Sequence, residues 1–163
     1  MVIRPNVASP TKPLGIADIK LYGTTGARIP AWQLALQLSS TSSSTESRHV
    51  ASRRCSDDDS ATVCETLAPG ATDPMPQLKV MYPCAGGATA LSSVEVISRR
   101  DCCQEDLLQY SLELLNVMGV QYKPGHVFTE VQDTHIIRRS SPRPPPPPPP
   151  PVQYNDHYYS YYG

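Results

Sequence analysis

Pro142-Arg143 is followed by eight unbroken prolines, Pro144, Pro145, Pro146, Pro147, Pro148, Pro149, Pro150 and Pro151. No other stretch limits the folding options of the chain so severely. Each ring fixes φ near −65° and none of these residues has an N–H to donate, so the run can enter neither a helix interior nor a central strand. It is committed to an extended polyproline II rod, and at about 3.1 Å per residue eight prolines reach roughly 25 Å. Tyr154, Tyr158, Tyr159, Tyr161 and Tyr162 follow directly. Tyrosine joins a large apolar ring to a polar tip, which suits an interface. A rod that cannot bury itself in its own fold is expected to find contacts outside its own molecule. Rod and tail together point to assembly and away from catalysis.

The rest of the chain has room for one folded domain. Of 163 residues, about 130 remain once the serine-rich stretch and everything after Arg139 are set aside, which is an ordinary domain size. The formal net charge is −1, and the arginine pairs Arg53-Arg54, Arg99-Arg100 and Arg138-Arg139 are short and scattered. That is not the basic stripe of a nucleic-acid binder. No apolar run approaches membrane-spanning length. The opening residues MVIRPNVASP lack the long apolar centre of a signal peptide, so a secreted form is expected to have its leader outside this sequence.

Cys55, Cys64, Cys84, Cys102 and Cys103 in a chain with only 18% charged residues suggest an oxidising compartment and a disulfide framework. Neighbouring cysteines rarely bond to each other, so each of Cys102 and Cys103 is expected to reach a different partner. The favoured pairing is Cys55–Cys64 as a local loop and Cys84 with Cys102 or Cys103, although sequence does not settle connectivity. Zinc is disfavoured, since there is no CxxC pair and no histidine stands at ligand spacing. The run Asp57-Asp58-Asp59 lacks the spacing of an EF-hand loop. No cofactor is expected.

Secondary structure reads as short strands between turns. Ile19–Tyr22 is a strand closed by Gly23-Thr24-Thr25-Gly26. Trp32, Leu34, Leu36 and Leu38 alternate with Gln33, Ala35, Gln37 and Ser39, a two-residue period that predicts a strand with one face buried. Residues 39–47, SSTSSSTES, are a polar low-complexity loop. Ser42, Ser43 and Ser44 in it are candidates for O-linked sugars. Further strands are expected at Thr62–Leu67, Leu78–Tyr82, Ser93–Ile97, Leu108–Leu114, Val127–Val131 and Thr134–Ile137. Many short strands without strand–helix alternation predict an all-β fold, an antiparallel β-sandwich. The expected order is an extended arm over 1–15, a disulfide-braced sandwich over 16–139, a polyproline II segment over 140–151 and a tyrosine-rich tail over 152–163.

Residues 102–114, CCQEDLLQYSLEL, resemble a pattern in the pherophorins, extracellular hydroxyproline-rich glycoproteins of volvocine green algae. Cys102, Cys103, Asp106, Leu107, Tyr110 and Leu112 occupy the matching positions, and Thr62-Val63-Cys64 looks like an earlier cysteine-bearing strand of that family. The tail YNDHYYSYYG is similar to extensin Tyr-x-Tyr sequences. The resemblance implies an extracellular matrix or surface-fibre role without catalysis, with hydroxylation and O-linked glycans on Pro144–Pro151. The partner would then be the chain itself, in a head-to-tail helical homopolymer contacted through the arm, the tail or both.

An alternative is a binding module whose Arg143-Pro144 tract recruits a WW- or profilin-type domain. An enzyme is the remote reading. Gly86-Gly87 lacks the lysine of a phosphate loop, and no Gly-x-Ser-x-Gly elbow is present.

Overall fold

The computed structural model describes residues 1–42, 47–70, 72–82, 91–115, 118–121 and 125–138. Among them the chain is mostly β. The nine strands are β1 (Val2–Pro5), β2 (Gly15–Gly23), β3 (Ala35–Leu38), β4 (Cys64–Glu65), β5 (Leu78–Met81), β6 (Leu91–Ser98), β7 (Tyr110–Glu113), β8 (His126–Val127) and β9 (Thr134–Arg138). They form two antiparallel sheets, one ordered β3-β5-β1-β7-β8 and the other β4-β2-β6-β9. A single buried cluster draws on both. The first sheet contributes Ile3, Leu38, Leu78, Val80, Tyr110 and Leu112; the second contributes Ile16, Ile19, Leu21, Cys64, Leu91, Val94 and Val96. Two layers around one core are the arrangement a β-sandwich requires.

The second sheet follows directly from its residues. Strand β2 pairs with β6 from Ile16 opposite Ser98 to Gly23 opposite Leu91, and β6 pairs with β9 from Ser93 opposite Arg138 to Ile97 opposite Thr134. Val94, Val96 and Ile97 in β6 and Ile16, Ile19 and Leu21 in β2 are all buried, as β-branched and large aliphatic side chains favour on a pleated surface. The turn at residues 24–26 falls where expected, with Gly26 at φ 78°. Only glycine adopts that angle freely.

The first sheet differs from expectation at three places. Residues 1–15 do not form an arm beside the sandwich. Val2–Pro5 is the middle strand of the five, paired with β5 at Val2–Lys79 and with β7 from Val2–Glu113 to Pro5–Tyr110. Val2 and Ile3 are buried, and Arg4 makes a two-pronged contact with Glu113, Nε–Oε1 3.0 Å and Nη2–Oε2 2.7 Å. Pro5 sits at the strand end, where its missing N–H interrupts nothing.

The second departure concerns Trp32. The backbone over Ala31–Gln33 makes a 3₁₀ turn, and only Ala35–Leu38 is strand. Pro30 starts the turn, its carbonyl accepting from Gln33 N at 2.9 Å. The alternation therefore holds from Leu36 to Leu38, which is buried, and Trp32 is turned out of the sheet. Third, Leu108 is not in a strand. Gln104–Gln109 forms a 3₁₀ helix and the strand starts at Tyr110.

A helix α1 (Arg48–Arg53) was not anticipated from the sequence. Ser47 caps it, its side chain accepting from Val50 N. A serine in that role is a common helix start. The helix runs into a 3₁₀ turn over Arg54–Ser56 that carries Cys55. Strands β4 and β8 are shorter than expected, two residues each.

Candidate binding cleft

The edge of the body formed by β3 and β4 is closed by α1, which packs against both of these strands, and by the turn after it, which packs against β2. Cys55 on the turn is bonded to Cys64 on β4, with Cα atoms 5.1 Å apart. The expected local loop is thus present, and both sulfurs are buried. Of the acidic run that follows, Asp57 and Asp59 accept hydrogen bonds from their own loop and Asp58 pairs outside it. Asp57 accepts from Thr62 Oγ1 at 2.8 Å and from Asp59 N at 3.0 Å. Asp58 pairs with Arg28, and Asp59 accepts from Ala61 N at 2.9 Å. Among the described residues no group of three or more His, Cys, Asp or Glu side chains is placed to hold a metal ion.

Outside this bracing lies a cleft of about 530 Å³. Leu34, Ala35 and Leu36 supply an apolar floor, Ser56 and Arg53 come from the helix and the turn after it, and Asp57 stands at one end. Trp32 forms the remaining wall and is 83% exposed. Large indoles are usually well covered, so this one is notable. Sequence reasoning missed it by placing Trp32 on a buried strand face. The available signal was Pro30, which starts a turn and breaks the two-residue period before it reaches the tryptophan.

The serine stretch divides in two. Its first residues are structural: Ser39 Oγ lies 2.7 Å from Asp73 Oδ2 and Ser40 Oγ contacts the same oxygen. The same hydroxyls accept from Gln77 N and Leu67 N, both at 2.9 Å. Ser42 is exposed, whereas Ser43 and Ser44 lie outside the described residues.

The adjacent cysteines correct an expectation. The sulfurs of Cys102 and Cys103 are brought against each other, with Cα atoms 3.8 Å apart. Among the described residues neither reaches a separate partner. Cys103 takes a left-handed backbone, φ 62° and ψ 31°, which redirects its side chain relative to that of its neighbour. Beside the pair, Arg99 holds Asp101 through Nε–Oδ1 at 2.9 Å and Nη2–Oδ2 at 2.8 Å, and also contacts Glu65. Hydrogen bonding to Asp101 raises the guanidinium pKa above its ordinary value. Cys84, Pro144–Pro151 and the tyrosines Tyr154, Tyr158, Tyr159, Tyr161 and Tyr162 lie outside the described residues.

At the opposite edge, β8 and β9, aromatic rings pack on one another, Phe128 and His135 buried and His126 exposed. Phe128 is buried between His126 and His135, with ring centroids 5.4 and 4.9 Å away in edge-to-face contacts. Burial pushes both imidazoles below the ordinary histidine range.

No helix among the described residues is long and apolar enough to cross a membrane. Comparisons with protein-family models, with curated proteins and with solved structures find no match to this chain.

Proposed function

We propose that the protein is a non-catalytic building block of an extracellular filament, wall or matrix layer, in which a rigid β body carries a polyproline II spacer. The observation that carries this reading is the joining of two features in one chain. A disulfide-closed, two-sheet body is followed within a few residues of β9 by Arg143 and eight prolines. A covalent Cys55–Cys64 loop persists where the surroundings are oxidising, and hydroxylation with O-linked sugars on Pro144–Pro151 is the modification expected of such a tract there. The resemblance of residues 102–114 to the pherophorins supports the same conclusion. The body would supply the mass and the rod the spacing, with copies joined head to tail through contacts that do not close into a ring.

Mass spectrometry and electron microscopy of the native protein test this reading. The expected result is 16-dalton additions and pentoses on the proline tract, a bonded Cys55–Cys64, and filaments of repeating subunits. Bare prolines with free thiols on a dispersed monomer would overturn it and favour the adaptor reading.

A further inference from the structure

We infer that the cleft beside Trp32 is the receptor for the proline tract of a neighbouring copy. This inference deepens the filament reading and rests on it for the identity of the partner. Polyproline II segments are recognised where a flat aromatic side chain and an apolar trough receive the ridges of the rod, with an acidic residue placed for a flanking arginine. The cleft offers each of these: the indole of Trp32, the trough of Leu34 and Leu36, and the carboxylate of Asp57. The ligand offers the complement, because Arg143 directly precedes Pro144. A polyproline rod presents only carbonyl acceptors, as its residues lack N–H groups. Arg53, which lines the cleft, is a donor suited to them.

Placement within the fold selects a neighbouring copy. The cleft stands at the β3–β4 edge, where α1 packs. The chain leaves the described body at Arg138 of β9, the opposite edge strand of its sheet. Donor and receptor on opposite edges of one body give a heterologous contact, the kind that propagates into an open fibre. Docking and glycosylation are compatible, since the rod repeats every three residues. One ridge can lie on the indole while other prolines carry sugars.

Trp32 is the sole tryptophan, so its fluorescence reports on the cleft directly. The protein for titration is the full-length chain with residues 144–151 replaced by serines, and the probe is a synthetic peptide of residues 140–152. A saturable shift in emission is expected. By calorimetry Trp32→Ala should weaken peptide binding at least tenfold, with an unchanged circular dichroism spectrum as its folding control. Asp57→Asn should weaken it a few-fold, and that loss should vanish with a peptide carrying Arg143→Ala. A flat titration overturns the inference, as does a shift produced by a pentose oligosaccharide and not by the peptide. In the otherwise natural full-length chain, Trp32→Ala should abolish concentration-dependent association in sedimentation. Filaments that form unchanged in that variant would overturn the docking while leaving the building-block reading intact. Peptide binding at Trp32 by a chain that never forms filaments would leave the cleft standing and defeat the filament reading.

Discussion

The two edges of the body are closed by opposite means. At the β3–β4 edge a helix, a disulfide and ionic contacts hold the sheets together, and the aromatic residue there faces outward. At the β8–β9 edge no cysteine is used among the described residues; Phe128 fills the space between two imidazoles. The first edge is braced covalently and left with a usable surface. The second is held by packing and hydrogen bonds, with Ser98 Oγ donating to the Gln132 carbonyl at 2.6 Å, and so depends more on its aromatic ring.

That contrast is most sharply broken at Phe128. Phe128→Ala should destabilise the protein by about 3–5 kcal/mol, the usual range for a buried phenylalanine, read as a lower urea midpoint with an unchanged slope. A loss under 1 kcal/mol would mean that the packed edge is not what holds the second side. Replacing both Cys55 and Cys64 by serine should cost about 3 kcal/mol. The chain-entropy estimate for a loop of roughly ten residues gives that figure, and chemical reduction of the natural protein should reproduce it.

The edges also differ in their response to pH. Asp18, on β2 near Arg28 and Asp58, is 1% exposed, and burial pushes its carboxyl pKa up to about 6, against the pull of the Ile19 N–H and Lys20. A carboxyl that holds its proton more tightly when folded favours folding at low pH. Its contribution, about 2–3 kcal/mol, is present below pH 4 and lost as pH rises to about 6. His135 acts with the opposite sign. Its imidazole is harder to protonate in the folded state, through burial and the nearby His126, with Glu130 opposing. Stability from this group is therefore lost as pH falls below the ordinary histidine value. Asp18→Asn should remove the first slope and expose the second. Urea midpoints of the variant should rise steadily from pH 5 to pH 7, and the variant should exceed the natural protein in stability at pH 7. Smallest of all, Trp32→Ala should change stability by less than about 0.5 kcal/mol, as exposed substitutions generally do. A larger loss would show that the indole braces its edge after all.

Much of the second sheet was legible in the sequence, because β2, β6 and β9 are runs of branched aliphatic residues bounded by turn signals. The first sheet was less so. Val2–Pro5 was hidden by a proline that is harmless only because it ends the strand, a fact of tertiary pairing and not of local composition. Residues 31–33 obey the strand period by coincidence, and Pro30 overrides it. Helix α1 spans six residues, too few for a helical period to emerge beside a serine-rich stretch. Cys55–Cys64 was readable from its short separation. The pairing of Cys102 with Cys103 was not, since it depends on the left-handed backbone at Cys103. The cleft itself needs residues from β3, α1 and the acidic loop to meet, and no sequence pattern announces that meeting.

Strand β1 has a temporal consequence. Its partners, Lys79 on one side and Glu113 on the other, are synthesised long after it leaves the ribosome. The side of β1 that receives β7 therefore stays unpaired until residues 110–113 have been made, and such distant pairings slow folding. A nascent chain stalled before residue 110 should hold its opening segment in reserve, accessible to chaperones and proteases, and closure of the sheet should be among the last events of maturation.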